Sequence, residues 1–295
     1  MRPVRSLLYV PANRREWVAD AAANGADGCI FDLEDAVPLD EKAAAREVVA
    51  DCLPTFTGVD AAATVRVNAP DTGLLEADLD AAVRPGLDAL VVPKLTGPTD
   101  VQRVAHVLTY LERVRDLDER VDIVALPETA DGFRRAHDIC AASDRVTALV
   151  GATSRGADVE RALGFEWTDE GHERQYMLSK LVMDGRAAGV EQLVSGPRLD
   201  VDDEEGLRQE ARRARELGYT GFQAIHPDQI PVIESVFTPD PEEVQRCRDL
   251  VASMNEADAE SGRGAIRIDG KMVDLAHVRR AEAVIERAEM FDVGE

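Results

Sequence analysis

Asp32, Glu34 and Asp35 close the stretch Gly28 to Val37, GCIFDLEDAV, and the rest of the chain is read around them. The apolar run Cys29, Ile30 and Phe31 predicts a buried parallel strand that delivers carboxylates at its carboxyl end. Burying an unpaired carboxylate is costly, so acids crowded at a strand end imply a metal, cationic partners or a solvent-filled mouth. Glu34 and Asp35 also read as solvated loop residues leading to the next helix. The site reading is favoured because similar strand-then-polar endings recur along the chain, at Arg66 and Asn68, Lys94, Glu128, Asp158 and His226. Carboxylates with an arginine and no Cys or His cluster suit a hard, oxygen-liganded cation, Mg²⁺ rather than Zn²⁺, with Mn²⁺ as a substitute. Arg66 would then face an anionic substrate group or a developing oxyanion. Lys94 reads equally as the partner of an acid in the mouth. His226, before Pro227, reads as a hydrogen-bonded strand-end residue rather than a base. Asp274 stands immediately before the last helix, where an N-cap is the ordinary role of an aspartate.

The elements that must position these residues alternate. Predicted strands cover Ser6 to Val10, Gly28 to Glu34, Ala63 to Asn68, Ala89 to Leu95, Asp122 to Glu128, Thr147 to Thr153, Glu191 to Gly196 and Gly221 to Pro227. Helices are expected from Arg14 to Asn24, from Glu41 to Asp51, through Val101, Val104, Leu108, Leu111 and Val114, from Leu178 to Ala188 and from Gly206 to Leu217. Strand and helix alternate about eight times, which predicts an α/β fold, a (β/α)₈ TIM barrel with its site on the loops after the strands. A long polar excursion, SRGADVERALGFEWTDEGHERQY, interrupts the alternation after the sixth strand. The barrel is expected over residues 1–236. Residues 237–295 form a C-terminal helical extension, opened by the capped start Asp240-Pro241-Glu242-Glu243 and carrying the glycine-bearing turn SGRGAIRIDGKM.

The formal net charge of −23 argues against nucleic acid and anionic membranes as partners. Lys42, Lys94, Lys180 and Lys271 are the only lysines, and so acidic a surface suggests a salt-rich or high-GC origin. Cys29, Cys52, Cys140 and Cys247 are scattered without metal spacing and read as reduced thiols. The N-terminal apolar run is too short for a signal peptide and no window approaches a membrane span, so a soluble, cytoplasmic protein is expected.

The motif order RSLLYVP, DLEDAV with Lys42 and Arg46 downstream, VRVN, VPK, PET with Gly132, GADVERALG, GFQAIHP and DGKMVD resembles the citrate lyase β-subunit-like CoA-ester lyases of the HpcH/HpaI aldolase superfamily. The resemblance implies a Mg²⁺-dependent barrel that cleaves or forms a C–C bond in a 3-hydroxyacyl-CoA such as malyl-, methylmalyl-, citramalyl- or citryl-CoA. It implies Glu128 and Asp158 as metal ligands, although GATSRGADV carries extra residues between the family's glycine and its acid. It further implies Arg66 as the substrate-binding arginine, and Asp32, Glu34 and Asp35 as acids around the metal's waters. Arg14 and Lys94 are assigned to the coenzyme A portion, and Asp274 to proton donation from an adjacent subunit of a trimer or hexamer. A malyl-CoA thioesterase, a malate synthase and a citrate lyase complex subunit acting on an acyl carrier are the alternatives on this scaffold.

Overall fold

The computed structural model describes residues 1–261, 265–268 and 271–293. In chain order the elements are β1 Ser6–Pro11, α1 Arg15–Ala19, β2 Gly28–Asp32, α2 Lys42–Cys52, β3 Ala62–Arg66, α3 Leu75–Ala82, β4 Ala89–Pro93 and α4 Pro98–Val114. There follow β5 Asp122–Leu126, α5 Ala130–Arg134, α6 Ala136–Cys140, β6 Val146–Gly151, α7 Asp158–Leu163, α8 His172–Ala187, β7 Gln192–Ser195, α9 Glu204–Leu217 and β8 Gly221–Ala224. The chain ends with α10 Gln229–Phe237, α11 Pro241–Ser261, β9 Ala265–Ile268, β10 Lys271–Asp274 and α12 Leu275–Met290. Strands β1 to β8 pair in parallel, each with its sequence neighbour, and β8 returns to β1 through Ser6↔Phe222, Leu7↔Gln223 and Leu8↔Ala224. This is a TIM barrel, and it lies within the first of two compact units, Met1–Glu234 and Ser235–Glu295.

Leu7, Ile30, Ala62, Val91, Val124, Leu126, Val150 and Val194, drawn from successive strands, form one buried cluster inside the barrel. Residues of the opposite parity face the helices, as Phe31 does against Phe56 with ring centroids 5.1 Å apart. The strands stop before their expected polar ends. Asp32 accepts from the backbone N–H groups of Glu34 and Ala36, which turns the chain out of β2. Pro93 and Pro127 lack an N–H and close β4 and β5. Glu34, Asn68, Lys94 and Glu128 therefore sit on the loops beyond the strands.

Other elements depart from expectation. The first helix is a single turn of α1 followed by a 3₁₀ segment, Ala21–Asn24. Helix α8 begins at His172 rather than Leu178, and α3, unforeseen, buries Leu75, Leu79 and Ala82. Val114 is exposed at the end of α4, whose core face is Val101, Val104 and Leu108. The excursion after β6 contains α7. Asp203 caps α9 by accepting from Gly206 N–H.

In the second unit, β9 and β10 form an antiparallel hairpin, and Met254, Val273 and Val278 are buried together against Leu250 and Val251. Gly262, Arg263, Gly264, Asp269 and Gly270 of the expected glycine-bearing turn lie outside the described residues. Cys29, Cys52 and Cys140 are buried free thiols, and Cys247 is half-buried. Among the described residues no helix is long and apolar enough to cross a membrane.

Candidate active site

The two-residue period of a strand carries the inward parity of Leu7, Ile30 and Ala62 up to Tyr9, Asp32 and Arg66. Asp32 and Arg66 are also register partners across β2 and β3. Arg66 grips Asp32 bidentately, Nε to Oδ1 at 2.7 Å and Nη2 to Oδ2 at 2.6 Å, with both side chains buried. Its guanidinium carbon lies 5.0 Å from the centroid of the Tyr9 ring. Asp32 thus spends its carboxylate on Arg66 and on the turn after β2, and its oxygens serve as anchor.

The acid-bearing loop is held from beneath. Lys42 Nζ donates to the carbonyls of Leu33 and Glu34 at 2.7 and 2.9 Å. Arg46 pairs with buried Asp78, which in turn accepts from the backbone N–H and Nδ2 of Asn68, each at 2.7 Å. Asn68 is therefore committed below the mouth. Glu34 is presented inward, with Arg66 Nη1 at 3.0 Å and Lys94 Nζ at 2.6 Å. Burial raises the Glu34 pKa despite these two cations. Asp35 is the exposed acid of the three, at 62 % side-chain exposure, 3.7 Å from Lys94 and 3.9 Å from Arg66.

Beyond β5, Glu128 is buried and its Oε1 has no hydrogen-bond partner. Burial first, and the charge of Glu34 second, push its carboxyl up to about 8. Asp158 opens α7 and accepts from Lys94 Nζ at 2.8 Å and Arg161 Nη2 at 2.6 Å. Burial works against its ionisation, but Lys94 and Arg161 together outweigh it and hold it below the usual carboxylate range. The loop before α7 is fastened by Ser154 Oγ donating to Pro197 O and Gly156 N–H donating to Glu160, both at 2.5 Å. Gly151, at the end of β6, has no room for a side chain, since a Cβ would stand 2.2 Å from Tyr219 Oη.

A cavity of about 630 Å³ at the carboxyl ends of the strands is lined by Tyr9, Asp32, Asp35, Arg66, Glu128 and Asp158 among others, with Glu34 and Lys94 reached through their ion pairs to Arg66 and Asp158. The barrel thus gathers Asp32, Glu34, Asp35, Arg66, Lys94, Glu128 and Asp158 at one mouth. Arg14, exposed at the start of α1, is not among the residues that line the cavity. His226 is half-exposed and accepts from Asp228 N–H at 3.3 Å. Asp274 belongs to the second unit, where its carboxylate caps α12 through Ala276 and His277 N–H. Tyr9 and Gln223 also line the cavity, although neither is among the expected site residues. Tyr9 was detectable by its parity with Leu7; Gln223, fully buried and donating to Tyr9 Oη at 3.1 Å, sits in an apolar run that reads as core.

Among the described residues no group of three or more His, Cys, Asp or Glu could hold a metal by protein ligands alone. A pair of carboxylates, one with an orphaned buried oxygen, fits Mg²⁺, which takes one or two carboxylates and fills its other positions with water and substrate.

A TIM barrel whose carboxyl-end mouth crowds acids around an arginine and a lysine is the class of protein that fold and site define. The HpcH/HpaI aldolase/citrate lyase family model matches residues 5–227, and a model for C–C bond lyases of the TIM-barrel fold matches residues 165–293. The chain belongs to the HpcH/HpaI aldolase/citrate lyase family. It is 34% identical over 287 residues to a (3S)-malyl-CoA thioesterase of Cereibacter sphaeroides, covering 97% of this chain and 95% of that one. It is also 34% identical, over 98% of its length and 96% of the relative's, to an L-malyl-CoA/beta-methylmalyl-CoA lyase of the same species. Among solved structures, the CitE protein of Mycobacterium tuberculosis in complex with magnesium, acetoacetate and coenzyme A superposes with a TM-score of 0.79. It is 30% identical, and the match covers 97% of this chain and 98% of that one.

Proposed function

We propose that this protein is a Mg²⁺-dependent carbon–carbon lyase that cleaves or forms a 3-hydroxyacyl-CoA of the malyl-, methylmalyl-, citramalyl- or citryl-CoA type. The observation that carries the reading is Glu128, a buried carboxylate that lines the same cavity as Asp158 and has an oxygen without a hydrogen-bond partner. Glu128 and Asp158 would hold the metal, which when bound supplies Lewis acidity toward the hydroxyl and carboxylate of the acyl group. Arg66 is fixed by Asp32 and lines the cavity, so its charge is preorganised for the enolate that develops as the bond breaks. Glu34 and Asp35 hold Lys94 and the waters of the mouth. Lys94 and Arg14 are the candidate contacts for the anionic coenzyme. Asp274 of an adjacent copy is the proposed acid that reprotonates the enolate, which requires a homo-oligomer.

Hydrolysis of the same thioester is the second reading, favoured by the similarity to a malyl-CoA thioesterase. Incubation with a panel of 3-hydroxyacyl-CoA esters and Mg²⁺, with products identified by mass, separates the two. A 2-oxo acid such as glyoxylate or pyruvate with an acyl-CoA marks cleavage, and free CoA marks hydrolysis. EDTA should abolish turnover; full activity in EDTA overturns the metal assignment.

A further inference from the structure

Lys94 follows Pro93 with a φ of 53°, a left-handed backbone that side-chain-bearing residues rarely adopt and that clusters at functional sites. That turn sets Nζ among three carboxylates, 2.6 Å from Glu34, 2.8 Å from Asp158 and 3.7 Å from Asp35. The two proposed metal ligands are therefore unequal. Glu128 keeps an orphaned oxygen, whereas Asp158 Oδ2 already carries a cation and Asp158 Oδ1 pairs with Arg161. Asp32, Glu34, Asp35, Glu128 and Asp158 still outnumber Arg66, Lys94 and Arg161, so electrostatics favour a further cation at the mouth.

We infer that Lys94 is a placeholder cation, which holds Asp158 by a direct ion pair and competes with a divalent metal for it. The inference rests on the assignment of Asp158 as a metal ligand. An Asp158 oxygen shared by the ammonium and a divalent cation would hold two like charges close together, so their repulsion favours loss of the ion pair as the metal binds. Lys94 thereby sets the affinity of the site. Once displaced, the ammonium stays beside Glu34 and Asp35, where its charge is available to an anionic substrate. Metal and substrate are then coupled through one side chain.

The test is a titration of the chelator-stripped, full-length protein with Mn²⁺, free metal being followed by its electron paramagnetic resonance signal. Lys94→Met, and Lys94→Asn, which tolerates the left-handed backbone, should each tighten Mn²⁺ binding on the order of tenfold. Melting curves identify whichever variant is folded. In an Asp158→Asn background the same Lys94 substitutions should leave Mn²⁺ affinity unchanged, because the ion pair is already gone. Unchanged or weaker binding in the Lys94 variants overturns the inference. So does tightening that persists in the Asp158→Asn background, which would mean that Lys94 acts through its field rather than by holding Asp158. A wild-type protein that binds no Mn²⁺ overturns the metal reading itself, and this inference with it.

Discussion

Trp167 lies beneath the guanidinium of Arg174, whose central carbon is 4.3 Å from the ring centroid, with Arg155 over the ring at 5.3 Å. The indole Nε1 donates to Thr153 O at 3.1 Å, and Trp167 N–H reaches the Glu160 carboxylate that also accepts from Gly156 N–H. The excursion after β6 is thus closed on itself by one aromatic ring, and Asp158 rides on the closed segment. Trp167→Leu removes two cation–π contacts and a hydrogen bond, together about 1–3 kcal/mol. A melting temperature several degrees lower and weaker Mg²⁺ binding are expected. Wild-type values for both would show that the ring does not hold the Asp158 segment.

Arg66→Lys keeps the charge and loses the fork that grips Asp32. A preorganised donor facing an oxyanion is worth about 2.7–4 kcal/mol, so kcat should fall by about two orders of magnitude or more. Steady-state kinetics alongside thermal melts are the check. An effect within threefold would make Arg66 only the structural partner of the acids.

Asp274 makes opposite predictions in its two roles. Its hydrogen bond to His277 holds the carboxyl below the usual carboxylate range, which suits a cap and is the wrong direction for a proton donor at neutral pH. A donor role needs the surroundings of a neighbouring copy. Asp274→Asn preserves a good cap, so the melting temperature should not move. Loss of most of kcat, with partial recovery on mixing Asp274→Asn and Glu128→Gln proteins under subunit exchange, is the outcome expected of a shared site. Wild-type kcat in Asp274→Asn protein would leave capping as its whole role.

Gly151→Ala should destabilise by about 1–3 kcal/mol, since the new methyl meets the Tyr219 hydroxyl and ring. Tyr219→Phe alone removes the hydroxyl's hydrogen bond to Leu178 O, a carbonyl within α8, and should cost about 1 kcal/mol. Combined, the two should cost less than their sum, because the Phe ring removes the closest clash. Additive losses in urea melts would show that the contact is relieved by backbone movement instead.

The barrel and the acids at its mouth were legible in the chain because both signals are local. Apolar runs such as Cys29 to Phe31 and Ala89 to Val92 alternate with helical stretches, and each run ends in a polar residue. Even the separate start at Asp240 follows from neighbours a few positions away. What each acid is occupied with is another matter. Asp32 is consumed by Arg66, Asn68 is drawn down to Asp78, Lys94 reaches across to Asp158, and Glu128 is left with an unpaired oxygen. Those outcomes depend on strand register, on the left-handed turn at Lys94 and on how the Trp167 segment folds back. The unmet oxygen of Glu128 arises because the cations nearest in space are already held by acids from other strands. That allocation exists only once the barrel has closed.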